Sequence, residues 1–160
     1  MAHYRRLGFE TRPPTKAGGT TSPAMASRFP PSVSDLGVSS IRPRAGYRSV
    51  TPRIVVGNVE AQVAFLRAVF HATGDPVLGR PTEVRIGDSM IMVTPATQRD
   101  VFTAFLYVYV DDADRAYEQA LAAGATPLEA PLDTPYGDRR AMVRDPFGNV
   151  FQIAHQIVTG

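Results

Sequence analysis

One short pattern occurs twice in this chain, and that repetition limits the folds open to it more than any other feature. Val56-Gly57-Asn58 closes an apolar run and opens an amphipathic one. Val110-Asp111-Asp112 does the same, at an offset of 110 − 56 = 54 residues. In the first copy Ile54 to Val56 reads as a strand, and Asn58 is a residue type suited to cap a helix N-terminus. Apolar residues then follow at Val59, Val63, Leu66 and Phe70, with Phe65 and Val69 widening the stripe, which is the period of a helix buried on one face. Gly74 is the expected stop. Val84 and Ile86 mark a short strand, Gly87-Asp88 a turn, and Met90 to Thr94 another strand closed by Pro95. The second copy begins with a strand from Thr103 to Val110. Asp111 and Asp112 then precede a helix with apolar positions Ala113, Ala116, Tyr117, Ala120 and Leu121, stopped by Gly124, and strands follow near 126–128, 139–144 and 150–157. The unit is strand–helix–strand–strand–strand, twice. A unit of this size buries its apolar face by packing on its copy. The expectation is an α+β domain over residues 49–160 with modules at about 49–96 and 101–158.

Residues 1–48 have a different character. They hold 6 Pro, 5 Gly, 6 Ser and 4 Thr and show no sustained period of 2 or 3.6, so they lack the apolar surface needed to offset the entropy of ordering. They also carry the positive charge: 8 basic against 2 acidic residues, or +6, while residues 49–160 carry 9 against 13, or −4. The basic sequence pI therefore belongs to this segment. It reads as a disordered basic tail. Its Arg-rich, acid-poor composition fits both an organelle leader and an upstream extension, whereas the absence of an apolar core region argues against a secretory signal. The domain has no basic stripe of the kind that binds nucleic acid. The chain has no Cys, which excludes disulfides, thiolate metal sites and cysteine nucleophiles. Its apolar runs fall short of the roughly 18 residues of a membrane span. A cytoplasmic protein that binds neither nucleic acid nor membrane is the expectation.

Side chains alternate across a strand, so each strand sorts its residues onto two faces. Between Thr103 and Val110 one face is aliphatic (Ala104, Leu106, Val108, Val110). The other carries Thr103, Phe105, Tyr107 and Tyr109. The last strand divides into Phe151, Ile153 and Ile157 against Val150, Gln152, Ala154 and Gln156. Met90 to Thr94 divides into Ile91 and Val93 against Met90, Met92 and Thr94. The first strand sets Ile54 and Val56 against Thr51, Arg53 and Val55. The aliphatic faces suit packing under a helix. The opposite faces, aromatic and Met-bearing with few polar groups, suit a ligand cavity, a dimer seam or an exposed sheet surface.

The most distinctive strings are Tyr136-Gly137-Asp138-Arg139 and Arg144-Asp145-Pro146-Phe147-Gly148-Asn149. Together with Arg85-Ile86-Gly87-Asp88-Ser89 and the duplicated units, they make residues 50–158 resemble the vicinal oxygen chelate superfamily. That group comprises glyoxalase I, extradiol dioxygenases and antibiotic-binding resistance proteins. The Tyr-Gly-Asp-Arg segment is similar to an uncharacterised glyoxalase-like branch. The resemblance implies two βαβββ modules whose strands curl round a cavity with the helices outside, and a homodimer. It also implies where metal ligands would lie: Thr51 and Phe105 on the first strand of each module, Met92 and Gln152 on the fourth, with Tyr107 as a further position. These side chains are neutral and poor donors, whereas a divalent ion calls for imidazole or carboxylate. His3 lies in the tail, His71 at a helix end, and His155 shares parity with the helix-packed face. Glu83 has cavity parity but reads as an ion-pair partner of Arg53 or Arg85.

Three functions remain on these residues. The leading one is a small-molecule binder without metal or other cofactor, gripping an aromatic or apolar ligand with Phe105, Tyr107, Tyr109 and Met92, beside Met90 and Met142. Arg53, Arg140 and Gln152 would orient it. The second is a metal-dependent lyase, isomerase or dioxygenase, supported by fold analogy alone. The third is acid–base catalysis through Glu83, Tyr107 or Tyr136, although Tyr136-Gly137-Asp138-Arg139 also reads as a turn followed by an Asp–Arg pair. Phosphate loops, zinc spacings and a Gly-x-Ser-x-Gly elbow are absent.

Overall fold

The computed structural model describes residues 43–97 and 99–158. Nine elements run in the order β1 (Arg53–Val56), α1 (Val59–Phe70), β2 (Thr82–Ile86), β3 (Ser89–Pro95), β4 (Phe105–Tyr109), α2 (Ala113–Ala122), β5 (Thr126–Asp133), β6 (Asp138–Arg144) and β7 (Val150–Gln156). They build two sheets, β1-β3-β2 and β4-β7-β6-β5. In each, the first strand pairs in parallel with the last and the remaining pairings are antiparallel. The register carries the duplication: Arg53 lies opposite Met92, and Tyr107 lies opposite Gln152. The fold is α+β with the two modules in the expected order, but the first has three strands where the repeated unit calls for four.

Each helix begins as the repeat requires. Asn58 and Asp112, 54 residues apart, are both extended and accept from the backbone N–H three residues on, that of Ala61 and that of Arg115. The stop of α1 is earlier than Gly74. His71 takes the left-handed conformation (φ 52°) and its N–H caps the carbonyls of the last turn. Gly74 answers a different constraint, since a Cβ there would lie 2.2 Å from the Glu83 carbonyl oxygen. That close approach accompanies the isolated bridge between Thr73 and Arg85. By the offset, this bridge stands where the second module has all of β5. Strand β5 is also longer than its sequence suggests, because Pro127 and Pro131 interrupt the pattern. Both are tolerated because β5 is the outer strand of its sheet.

The helix-side faces of both sheets merge into one core. Ile54, Val56, Val84, Ile91 and Val93 from the first module join Val143, Phe151 and Ile153 from the second, with α1 and α2 packed among them. Phe65 and Phe70 of α1 sit 6.1 and 5.1 Å from the ring of Phe151, so the first module's helix packs on the second module's sheet. A buried polar knot lies in this seam. The Asp145 carboxylate accepts from the backbone N–H of Phe147 and of Asn149, closing the Asp-Pro-Phe-Gly-Asn turn. It also accepts from Gln62 Nε2 on α1 and from Asn149 Nδ2, both at 2.9 Å. Asn149 donates in turn to Gln62 Oε1 and accepts from the Ala104 N–H just before β4. Gln62 and Asn149 are fully buried. The turn thus does more than reverse the chain between β6 and β7: it fastens α1 of one module to the sheet of the other. Replacing Asn149 by Ala strands two buried partners, Gln62 Oε1 and Asp145 Oδ2, each costing about 1–3 kcal/mol, and the half-buried Ala104 N–H. Urea unfolding of Asn149→Ala is expected to show a loss of about 3 kcal/mol with an unchanged slope.

Candidate functional site

With the helix-side faces buried together, each sheet presents its other face outward. On the second module, β4 displays Phe105, Tyr107 and Tyr109, all exposed (63%, 39% and 64%), an uncommon density of aromatic surface for a single strand. Beside them β7 contributes Gln152, and β6 contributes Asp138, Arg140 and Met142. Asp138 is the centre of this face. Its carboxylate is almost fully buried and accepts from the Tyr107 hydroxyl at 2.7 Å and the Tyr109 hydroxyl at 2.9 Å, with the two rings 5.2 Å apart. Thr134 holds the strand start, its hydroxyl donating to the Asp138 carbonyl and accepting the Asp138 N–H. Arg140 pairs with Glu129 of β5 and donates to the Tyr136 hydroxyl at 3.3 Å, while its buried Nε has no acceptor. Burial and the bond to Asp138 raise the Tyr107 pKa, and Tyr109 is raised chiefly by the same carboxylate. Both phenols stay protonated at neutral pH, with their single hydrogens committed to Asp138, so each has only oxygen lone pairs left to offer as an acceptor.

The expected Asp138–Arg139 pair does not form. Neighbours on a strand point to opposite faces, and Arg139 turns to the helix side, where it bridges Asp114 of α2 and Asp133 of β5. The Asp114 carboxyl is correspondingly held below its ordinary range by Arg139. Asp138 and Glu129 were the members of the face that sequence reasoning passed over. Parity was a usable signal for Asp138, since it is two residues from Arg140 and four from Met142. Glu129 had none, because the prolines of β5 hide that strand.

On the first module the outward face holds Arg53, Met92, Met90, Glu83 and Arg85. Arg53 Nη2 lies 3.4 Å from Met92 Sδ. Glu83 does form an ion pair, but with Arg44 at 2.8 Å and not with Arg53 or Arg85. The four positions at which the resemblance implies a metal fall in two sets, Thr51 with Met92 on the first module and Phe105 with Gln152 on the second. Their chemistry does not fit a divalent ion. The Thr51 hydroxyl donates to the Arg48 carbonyl, Phe105 offers no donor atom, and a fixed guanidinium charge sits at the one sulfur. Among the described residues no three His, Cys, Asp or Glu side chains gather closely enough to hold an ion. His155 is turned inward, its Nδ1 accepting from the Ala113 N–H at the start of α2.

Two clefts border these faces. One of about 350 Å³ runs between Arg48, Val50, Pro52 and Met90 on one side and β4 with Tyr107 and Tyr109 on the other. A second, of about 470 Å³, lies between the α1 end, the β2–β3 turn and the α2 start, lined by His71, Arg85, Asp112 and Arg115.

Paired modules of this topology, each with an outward sheet face, define a glyoxalase-like class of protein. The family model for the Glyoxalase/Bleomycin resistance protein/Dioxygenase superfamily matches residues 48–153, and the chain belongs to that superfamily. Among solved structures, the chain is similar to a glyoxalase/bleomycin resistance protein/dioxygenase family enzyme from Burkholderia phytofirmans PsJN (25% identity, TM-score 0.57), covering 66% of this chain and 95% of that one. It shares its fold with TioX from Micromonospora sp. ML1 (20%, TM-score 0.56, covering 71% and 99%). The same holds for lactoylglutathione lyase from Agrobacterium tumefaciens (19%, TM-score 0.53, covering 68% and 94%). An uncharacterized protein of Mycobacterium bovis is 36% identical over 52 residues, a match spanning 32% of this chain and only 34% of that relative.

A folded-state phenol pKa above its unfolded value of about 10 contributes stability that is complete below that pH and is lost as pH rises through the folded value. Tyrosinate absorbance of the native protein is expected to show a most alkaline step that Tyr107→Phe removes. The same variant is expected to lose less stability between neutral and strongly alkaline pH than the wild type does.

Proposed function

We propose that this protein binds a small aromatic or apolar molecule without a metal, against the outward face of the second module. The observation that carries the reading is the exposed row Phe105, Tyr107 and Tyr109 standing over a buried carboxylate that orients two of its hydroxyls. Tyrosines fixed in this way offer flat apolar area with directed acceptor oxygens, their hydrogens being held by Asp138, at little further cost in side-chain entropy. Arg140, with an unpartnered buried Nε, and Gln152 supply polar contacts, and Met92 with Arg53 serves the same purpose on the first module. The reading includes a homodimer, since an outward face this aromatic is suited to a second copy that closes over it. Residues 49–160 form the binding domain and residues 1–48 a basic segment, whose last residues, Arg44 to Arg48, lie against that domain. No cofactor and no nucleic acid enters this reading, no helix among the described residues is long and apolar enough to cross a membrane, and the cytoplasm is the proposed location.

Metal-dependent lyase, isomerase or dioxygenase chemistry is the alternative that membership of the superfamily keeps in view, and the donor set speaks against it. Acid–base catalysis through Tyr107 is disfavoured by its raised pKa, since a general base works best near the ambient pH.

A thermal-shift panel of planar aromatic compounds on chelator-treated protein tests the reading. A ligand at about 100 times its Kd adds about 2.7 kcal/mol, expected here as a rise of several degrees in Tm that Tyr107→Ala and Tyr109→Ala abolish. Silence across the panel, or elemental analysis finding one tightly held transition metal per chain whose removal abolishes binding, would reject it.

A further inference from the structure

The two modules are copies, yet besides their different side chains their outward faces differ in cover: part of the first is overlain. Residues just before β1 fold back over it. The Tyr47 N–H bonds to the Arg44 carbonyl at 2.9 Å, making a tight turn whose third residue, Gly46, has φ +83°. Such a turn favours glycine at that position. A Cβ on Gly46 would meet Arg85 Nη2 at 2.9 Å and come within 4.0 Å of the Met90 methyl, so the turn lies directly on those side chains. Arg44 reaches Glu83 at 2.8 Å and stacks over the Tyr47 ring at 4.9 Å from its centroid. Arg48 reaches Asp88 at 3.2 Å, in the β2–β3 turn. The Tyr47 hydroxyl is buried close to Glu83 but outside hydrogen-bond geometry, and its nearness, followed by that of Arg44, holds the Glu83 carboxyl below its ordinary value. Glu83, Arg85 and Met90 share the strand face of Met92 and Arg53. The corresponding face of the second module carries the bare row of β4.

We infer that residues 44–48 are a salt-sensitive strap, which keeps ligands off the outward face of the first module while bound and admits them when released. The occupant is this chain's own segment, fitted by charge: two arginines, each against a carboxylate on the surface it covers. Both contacts are exposed at one partner or at both, with Arg44 73% and Asp88 80% accessible, so mobile ions compete with them directly. Apart from the two ion pairs, the strap's hold comes from the Gly46 turn against Arg85 and Met90 and from the buried hydroxyl end of Tyr47. Its Arg48 end also walls the 350 Å³ cleft beside Tyr107 and Tyr109, so release widens that cleft toward Met90 and Met92. Only the strap's consequence for ligand entry rests on the proposed binding function; its existence and salt response do not.

The chain contains no tryptophan. Tyr47→Trp in the full chain therefore gives a single indole placed in the strap. At about 20 mM salt its emission is expected to be blue-shifted and shielded from acrylamide, with quenching at least doubling by about 500 mM. Glu83→Gln is expected to reproduce that rise at low salt. In parallel, Arg44→Ala/Tyr47→Ala is expected to increase binding of anilinonaphthalene sulfonate several-fold at low salt, with an unchanged circular dichroism spectrum. The gain should persist when Phe105→Ala, Tyr107→Ala and Tyr109→Ala together remove the aromatic row of the second module. An indole fully quenched at low salt, or one indifferent to both salt and Glu83→Gln, overturns the strap. Unchanged dye binding in the double variant overturns its covering role. Failure of the aromatic ligand panel alone leaves these readouts untouched, so the two ideas fall separately.

Discussion

Gln62, Asp145 and Asn149 share one buried knot of hydrogen bonds, and the arrangement of the two modules depends on it. A carboxylate at 4% exposure is tolerable only when nearly every lone pair is used. Asp145 meets that demand with two backbone donors from its own turn, one amide from Asn149, and one amide from a helix in the other module. The last of these is specific in a way apolar packing is not. Phe65 and Phe70 would accept several orientations against Phe151, whereas Gln62 reaches Asp145 and Asn149 in only one. The knot also sets where β4 begins, because the Asn149 side chain takes the Ala104 N–H one residue before it. The turn motif that most strongly marked the family in sequence is therefore the joint between modules, and has no part in the outward faces.

Once the modules are fastened through their helix sides, strand alternation decides the rest. Every second residue of each strand is committed to the common core, and its neighbours are turned outward by the same geometry. Arg139 and Arg140 show how sharp the division is. They adjoin in sequence, yet one bridges two aspartates on the helix side and the other pairs with Glu129 among the tyrosines. Asp138 can be buried on the outward face because Tyr107 and Tyr109 lean over it and supply the hydrogen bonds that solvent would have given.

Much of this was open to inspection in the residues. The duplication, both N-caps, the two-faced strands and the outward placement of Tyr107, Tyr109, Arg140 and Gln152 all follow from periods of 2 and 3.6 read against one offset. What was hidden was hidden for physical reasons. Strand β5 carries two prolines that only an outer strand tolerates, and strand order is not a local property, so Glu129 went unseen. The helix stop at His71 required a non-glycine residue in a left-handed conformation, an option that local propensity ranks below the glycine three residues on. The partner of Glu83 came from residues 43–48, a stretch whose composition gives no periodic signal at all. Residues 1–42 of the basic segment lie outside the described residues.

The asymmetry between the copies bears on how such a scaffold changes its use. In the first module the position opposite Met92 is Arg53, and in the second the equivalent position, opposite Gln152, is Tyr107. A guanidinium and a phenol at matched sites of a duplicated frame leave no common electrostatic purpose for the pair. A guanidinium carries a positive charge and repels a cation brought beside it, while the Tyr107 phenol is neutral, its one hydrogen already given to Asp138. Two such groups could not cooperate in holding one divalent ion, whichever way the faces were brought together. On the proposed binding function they would meet different parts of a ligand, an oxygen-bearing end at Arg53 and a flat ring at Tyr107. Divergence at this pair, with the core and the knot between modules left whole, is how a frame built on repetition can keep its fold while its two faces cease to be alike.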